Sequence, residues 1–356
     1  MSEPLRVGVV GCGLIGSRYV QDAQAFTSWQ PVACADLDAD CARALAEKHG
    51  LRALGVDELI GDDTVDLVLN LTPPKVHASV IRAALAAGKH AYTEKPLAAT
   101  AHEARELVAD AAKRGVRLGC APDTFLGSAY QTGRRLVEEG AIGRPLGAAA
   151  TMLVGGPHSW HPNADMFYGP GGGPLLDIAP YYLTALVSML GPISSVAAFA
   201  ETPTPSHTLG VGARAGETIA VEVPTHAAVA LRLASGALAT LTVSFEAIGQ
   251  YVSGLVVYGS EGSLALPDAN DFGGDVILRR GRSEEAVQYD SRAARETRGL
   301  GLEELADALR AGRPHRASGE LALHVLEAAE AAVRSAEERR AVDVPALGTQ
   351  EPGSAG

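Results

Sequence analysis

Gly11-Cys12-Gly13-Leu14-Ile15-Gly16 follows Leu5-Arg6-Val7-Gly8-Val9-Val10 near the start of the chain, and this junction decides the fold. A β-branched apolar run that breaks into G-x-G-x-x-G and then a helix is the strand–turn–helix of a dinucleotide site. Gly11 permits the tight turn, Gly13 lets the backbone approach a pyrophosphate, and Gly16 permits close packing of helix on sheet. N–H groups at the helix N-terminus carry the partial positive charge that phosphates seek. Leu14 and Ile15, between the glycines, belong to the same expected site. Asp36 stands 20 positions after Gly16 and closes the next strand, with no Arg or Lys until Arg43. A carboxylate there accepts hydrogen bonds from the adenosine ribose and repels a 2′-phosphate. The expected cofactor is NAD, with NADP the alternative; the competing role for Asp36 is a cap on the turn over 36–40.

Outward from this junction, short apolar runs over 5–10, 32–36, 65–71, 90–93 and 116–120 alternate with helical stretches over 39–49, 76–87 and 102–114. The last two helices end near Gly88 and Gly115, where terminators belong. Such alternation predicts an α/β fold: an N-terminal Rossmann domain, 1–123, with a doubly wound parallel sheet covered on both faces. Beyond residue 123 the pattern changes to a helix over 129–139, a strand over 148–154, a Gly-, Pro- and aromatic-rich loop over 155–174, and a helix over 176–190. Strands over 228–233, 238–245, 254–258, 263–266, 276–280 and 286–289 are spaced as hairpins. They predict a C-terminal α+β domain, 124–345, with a largely antiparallel open sheet. Its final helix, 319–339, is expected to pack against one domain, back toward the first, or against the linker, and 346–356 is expected to be a flexible tail.

The chain has 356 residues, enough for two domains at about 150 each. Thirty Lys and Arg against 42 Asp and Glu leave a net charge of −12. That balance argues against nucleic acid as a partner, since phosphate backbones need concentrated basic patches. No run of 18 apolar residues suits a membrane span, and the N-terminus lacks the basic flank of a signal peptide. Four cysteines without C-x-x-C spacing fit a reduced, cytoplasmic setting.

Two further motifs carry a resemblance. Strand four runs into Thr72-Pro73-Pro74-Lys75-Val76-His77, and strand five into Thr93-Glu94-Lys95-Pro96-Leu97. With the glycine turn, these resemble the glucose–fructose oxidoreductase/inositol dehydrogenase (Gfo/Idh/MocA) family over nearly the whole chain. The resemblance implies a nicotinamide-dependent dehydrogenase or reductase acting on a sugar, cyclitol or related polyol. It places Lys95 at the substrate, with a cis Lys95–Pro96 peptide, and Glu94 at the nicotinamide ribose. Thr72 and Pro73 would contact the cofactor and His77 would lie along it, more as a structural residue. The family's open sheet often mediates oligomers, so a homodimer or homotetramer is expected; an open sheet needs its face and edge covered.

The second domain departs from the resemblance in one place. Where many members carry D-x-x-x-H, this chain has Asp177-Ile178-Ala179-Pro180-Tyr181, as in the tyrosine-type subset of the family. Residues four apart share a helix face, so Asp177 and Tyr181 are expected to point into one cleft. Pro180 requires the helix to begin near Asp177. An ordinary phenol, with a pKa of about 10, is a poor base at neutral pH; an ammonium beside it favours the phenolate. The expected mechanism therefore uses Tyr181 as proton acceptor, Lys95 as its assistant and Asp177 to hold a substrate hydroxyl or orient Lys95. Tyr182 is the adjacent competitor, about 100° away around the helix.

Trp160, His161 and Asn163 are the other expected substrate contacts, because aromatic faces cover sugar C–H surfaces while polar groups take the hydroxyls. His158, His161 and Asp165 have permissive metal spacing without a fixed third ligand, and no metal is expected. Two other functions share the resemblance: a redox-neutral, NAD-using glycoside hydrolase, and a dinucleotide-binding regulator without catalysis.

Overall fold

Val9 and Val10 of Leu5–Val10 (β1), neighbours that point to opposite faces, are both buried, which requires cover on both faces of the strand and explains why this stretch becomes a central parallel strand. The structure is a computed structural model and describes residues 3–249, 251–281, 286–291 and 297–348. Trp29–Ala35 (β2), Arg52–Ala53 (β3), Leu67–Asn70 (β4), His90–Thr93 (β5) and Leu118–Cys120 (β6) complete a six-stranded sheet in the order β3-β2-β1-β4-β5-β6. Every pairing in it is parallel. The order reverses between β1 and β4. At such a reversal the loops leaving the two strands diverge, and the carboxyl ends beside it are where open parallel sheets take their ligands.

The first compact unit comprises Met1–Gln131 with Asn270–Gly274 and Ser291–Leu323, so it is not one continuous stretch ending at residue 123. The reason is apolar burial. Leu302 and Leu305, on the helix Leu300–Arg310, are fully buried in the same core as Trp29 and Tyr92. Each is worth about 1.5–3 kcal/mol against exposure. That helix has Gly299 as its N-cap and no capping side chain of its own. Asp123 supplies the cap from β6's end, accepting from the N–H groups of Gly299 at 3.2 Å and Gly301 at 3.0 Å.

The second unit holds Thr132–Ala269, Asp275–Asp290 and His324–Gly356. Its strands are Pro145–Leu153 (β7), Ile193–Glu201 (β8), Ser206–Thr208 (β9), Thr218–Ala220 (β10), His226–Leu233 (β11), Leu238–Ser244 (β12), Val252–Gly259 (β13), Gly262–Leu266 (β14), Gly274–Arg280 (β15), Ala286–Ser291 (β16) and Val342–Asp343 (β17). Nine of them form one sheet, β16-β15-β14-β13-β7-β12-β11-β8-β17, and β9 and β10 pair separately. β7 and β12 run parallel, while β8, β11, β13, β14 and β17 pair antiparallel with their neighbours. The sheet is thus mixed and mostly antiparallel.

β11 alternates exposed and buried residues without a break, the signature of a sheet packed on one face. The helix Ala179–Leu190 covers that face at β7 and β12. The helix Gly319–Glu338 serves β8: His324 Nε2 accepts from the Ile193 N–H and Ser335 Oγ from the Ala198 N–H. On the other face Phe199, Leu238, Val256 and Tyr258 stand exposed. Among the described residues no helix is long and apolar enough to cross a membrane. The expected small-residue tail lies, from residue 349, outside the described residues.

Candidate active site

The turn after β1 is built as its glycines require. Gly11 has a φ of 104°, and a side chain there would sit 2.7 Å from the Leu71 carbonyl. A Cβ on Gly16 would overlap the carbonyl oxygen of Gly11. Gly13 differs: a Cβ there meets no protein atom within 4 Å. Open space beside a bare backbone is what a pyrophosphate needs. The helix Leu14–Asp22 begins at Gly13 without a side-chain cap, which leaves its first N–H groups to a ligand or water.

Asp36 stands beside this turn. Its carboxylate accepts from the N–H of Cys12 at 2.7 Å and of Asp38 at 2.9 Å. The two roles weighed for it are therefore compatible, because these bonds use only two of about four lone-pair sites. Leu14, Ile15 and Leu37 are exposed nearby in sequence, an apolar fringe for the flat faces of a nucleotide. The residues present fit NAD.

The loops after β4 and β5 are held by residues the motifs did not name. Asn70, fully buried, accepts from the Thr72 hydroxyl at 2.6 Å and the Thr72 N–H at 3.3 Å. Its carbonyl accepts from the Glu94 N–H at 3.1 Å, joining the two loops. Glu94 accepts from the buried Tyr19 hydroxyl at 2.9 Å and the Lys95 N–H at 3.1 Å. Burial, then Glu94, pushes the Tyr19 phenol well above its ordinary pKa, so it remains a donor. Lys95 is half-buried at the carboxyl end of β5, and the Lys95–Pro96 peptide is cis.

His77 is a correction. It was expected along the cofactor, though more as a structural residue; it is only 1% exposed, and its ring nitrogens face the Thr72 and Pro96 carbonyls. Packing between the two loops takes it off any ligand surface.

In the second unit, Asp177 ends the short helix Pro174–Asp177 and Tyr181 lies in the first turn of Ala179–Leu190. One helix over 176–190 was expected; the break falls at Ile178. Pro180 explains it, having no N–H and a ring that opposes the carbonyl four residues back. Asp177 and Tyr181 bracket the junction, and both are half-buried. Tyr182 is the second correction: it is fully buried, and its hydroxyl donates to Asp268 at 2.9 Å. It is a core residue rather than a substrate contact.

Trp160 is 61% exposed and meets His161 edge-on, with ring centroids 5.5 Å apart. His161 Nδ1 accepts from the Asn163 N–H at 3.1 Å, so the neutral ring carries its proton on Nε2 and presents a donor. Asn163 is exposed, and Asp165 is tied to Arg214 by two bonds of 2.7 and 3.2 Å. His158 turns to a separate cluster, bonded to the Tyr168 hydroxyl at 2.7 Å and stacked on His207 at 4.0 Å. Burial, then His207, lowers its pKa. Among the described residues no three His, Cys, Asp or Glu are placed to hold a metal ion.

Residues 5–121 match the oxidoreductase family with an NAD-binding Rossmann fold, GFO/IDH/MocA, and residues 130–265 match the GFO/IDH/MocA C-terminal domain. A 1,5-anhydro-D-fructose reductase of Ensifer adhaerens is 31% identical over 304 residues, spanning 82% of this chain and 85% of its own. The chain belongs to the GFO/IDH/MocA family. Its members among the relatives are oxidoreductases, and this chain carries their NAD-binding domain. A myo-inositol 2-dehydrogenase of Thermotoga maritima is 28% identical over 349 residues, 95% of this chain and 98% of its own. A levoglucosan dehydrogenase solved with NADH and L-sorbose shares the fold, with a TM-score of 0.85 at 24% identity, covering 97% of this chain and all of that one.

Proposed function

We propose that this oxidoreductase moves a hydride between NAD and a carbinol of a sugar, cyclitol or related polyol. The observation that carries the reading is Lys95, held at the carboxyl end of β5 beside a Glu94 whose carboxylate is fixed by Tyr19. An ammonium at that end of an NAD-binding sheet stands where parallel sheets take their ligands and can meet a reacting polar group. The relatives' names, an anhydrofructose reductase and an inositol dehydrogenase, favour a cyclic substrate rich in hydroxyls.

NAD, when bound, supplies the hydride acceptor or donor. Tyr181 takes the hydroxyl proton in the oxidative direction and returns it in the reductive one. Lys95 assists by favouring the phenolate, and Asp177 accepts a hydrogen bond from a substrate hydroxyl. Trp160 covers a C–H face of the ring, while His161 Nε2–H and Asn163 meet hydroxyl oxygens. Thr72, Pro73 and Glu94 serve the cofactor. The test is an absorbance screen at the NADH band, with NAD or NADP against monosaccharides, inositols and glycosides, followed by product analysis. Stoichiometric NADH and a carbonyl product are expected. Sugar release from a glycoside without NADH would contradict the reading.

A further inference from the structure

His77 opens the helix His77–Ala86 and is almost wholly buried. Its Nε2 lies 2.8 Å from the Thr72 carbonyl oxygen, and its Nδ1 lies 2.7 Å from that of Pro96. One ring thus spans two loops: the one after β4, which carries Thr72, and the one after β5, which carries Lys95.

Both partners are carbonyl oxygens, which only accept. A neutral imidazole has one N–H and one lone pair. A bare nitrogen lone pair held 2.7 or 2.8 Å from a carbonyl oxygen is repelled, so a neutral ring keeps one loop and lets the other go. Only the imidazolium donates to both at once. Both contacts are hydrogen bonds at the same time only in the cation.

The surroundings make this state conditional. Burial draws the ring's pKa below the ordinary histidine value; the Pro96 and Thr72 carbonyls and the Glu94 carboxylate pull it back up, and Lys95 opposes them. The start of its own helix also disfavours a cation, and no acidic residue stands in the helix's first turn. Two acceptors and one carboxylate therefore work against burial, one ammonium and a helix dipole.

We propose that His77 is a positioning residue that braces the cofactor loop against the Lys95 loop when protonated and releases one of them when neutral. The functional consequence rests on the reading of Lys95 and Thr72 above. The brace itself is tested without any substrate. Nitrogen NMR of the histidines in the full-length protein, between about pH 5 and 8, is expected to show two protonated ring nitrogens on His77 at the acid end. One should be lost with a midpoint below that of ordinary histidine. Over the same interval NAD affinity, by calorimetry, should strengthen about three- to tenfold toward acid, the worth of one hydrogen bond. His77→Gln can hold one carbonyl and cannot titrate, so its NAD affinity should be flat with pH. A wild-type ring with a single N–H throughout overturns the proposal, as does a His77→Gln protein that keeps the wild-type pH dependence. Should the variant fail to fold, the wild-type resonances decide alone. A sound brace with no polyol activity would instead count against the proposed reaction.

Discussion

At the scale of one residue, the proposed choice of cofactor rests on Asp36. Its two backbone bonds keep the carboxylate beside Gly13, and its remaining lone pairs are available to a ribose. Asp36→Ser should raise the dissociation constant for NAD about 10- to 100-fold, the worth of hydrogen bonds to a charged group, and should narrow the preference over NADP. Titration with both cofactors checks this; unchanged discrimination would contradict it. Gly11, Gly16 and Asp36 were legible because each is dictated by local backbone geometry or by its distance along one βαβ unit. Tyr181 and Tyr182 were not separable from sequence. The helix they share is buried around nearly its whole circumference, so apolar periodicity gives no face. Asn70 and Tyr19 were missed for a related reason. Asn70 is one polar group in an apolar strand and Tyr19 one aromatic on a mixed helix, and only the fold brings them to Thr72 and Glu94. An asparagine ending an otherwise apolar strand was the available signal.

At the scale of elements, the helix Leu300–Arg310 shows how a segment late in the chain joins the first unit. Its apolar stripe completes the core, and its N-terminal N–H groups depend on Asp123. Burial raises the Asp123 pKa, against the pull of Arg298 and the two N–H groups. Asp123→Ala leaves two buried donors unpaired and should cost about 2–4 kcal/mol in urea unfolding. Asp123→Asn keeps an acceptor and should cost less than half as much; equal losses would contradict the capping role. This helix was not read from the sequence at all, and amphipathic spacing would in any case give it a face without a partner. Sequence reading also missed β8, where Ser194-Ser195 and small residues look like a turn. The helix break at Ile178 was hinted by Pro180 alone. By contrast, the hairpins β11–β12 and β13–β14 were plain, each with alternating residues around a Ser- and Gly-containing turn.

At the scale of the whole molecule, each unit supplies a different part of the proposed chemistry. The first has the glycine turn, Asp36 and Lys95; the second has Asp177, Tyr181 and the Trp160 loop. Both fold classes were legible, since one periodicity alternates strands with helices and the other spaces strands as hairpins. Chain connectivity was less so, because tertiary burial rather than sequence order draws 291–323 into the first unit.

The central claim is that Tyr181 exchanges the proton while hydride passes to or from NAD. The direct measurement is turnover and NAD affinity of Tyr181→Phe beside Tyr182→Phe, on a substrate from the absorbance screen. Tyr181→Phe should lose about 100- to 10,000-fold in kcat with NAD affinity within about twofold of wild type. Tyr182→Phe, which loses the bond to Asp268, should keep its turnover and lose about 1 kcal/mol of stability. A Tyr181→Phe enzyme within a few-fold of wild type, or one matched by Tyr182→Phe, would contradict the account.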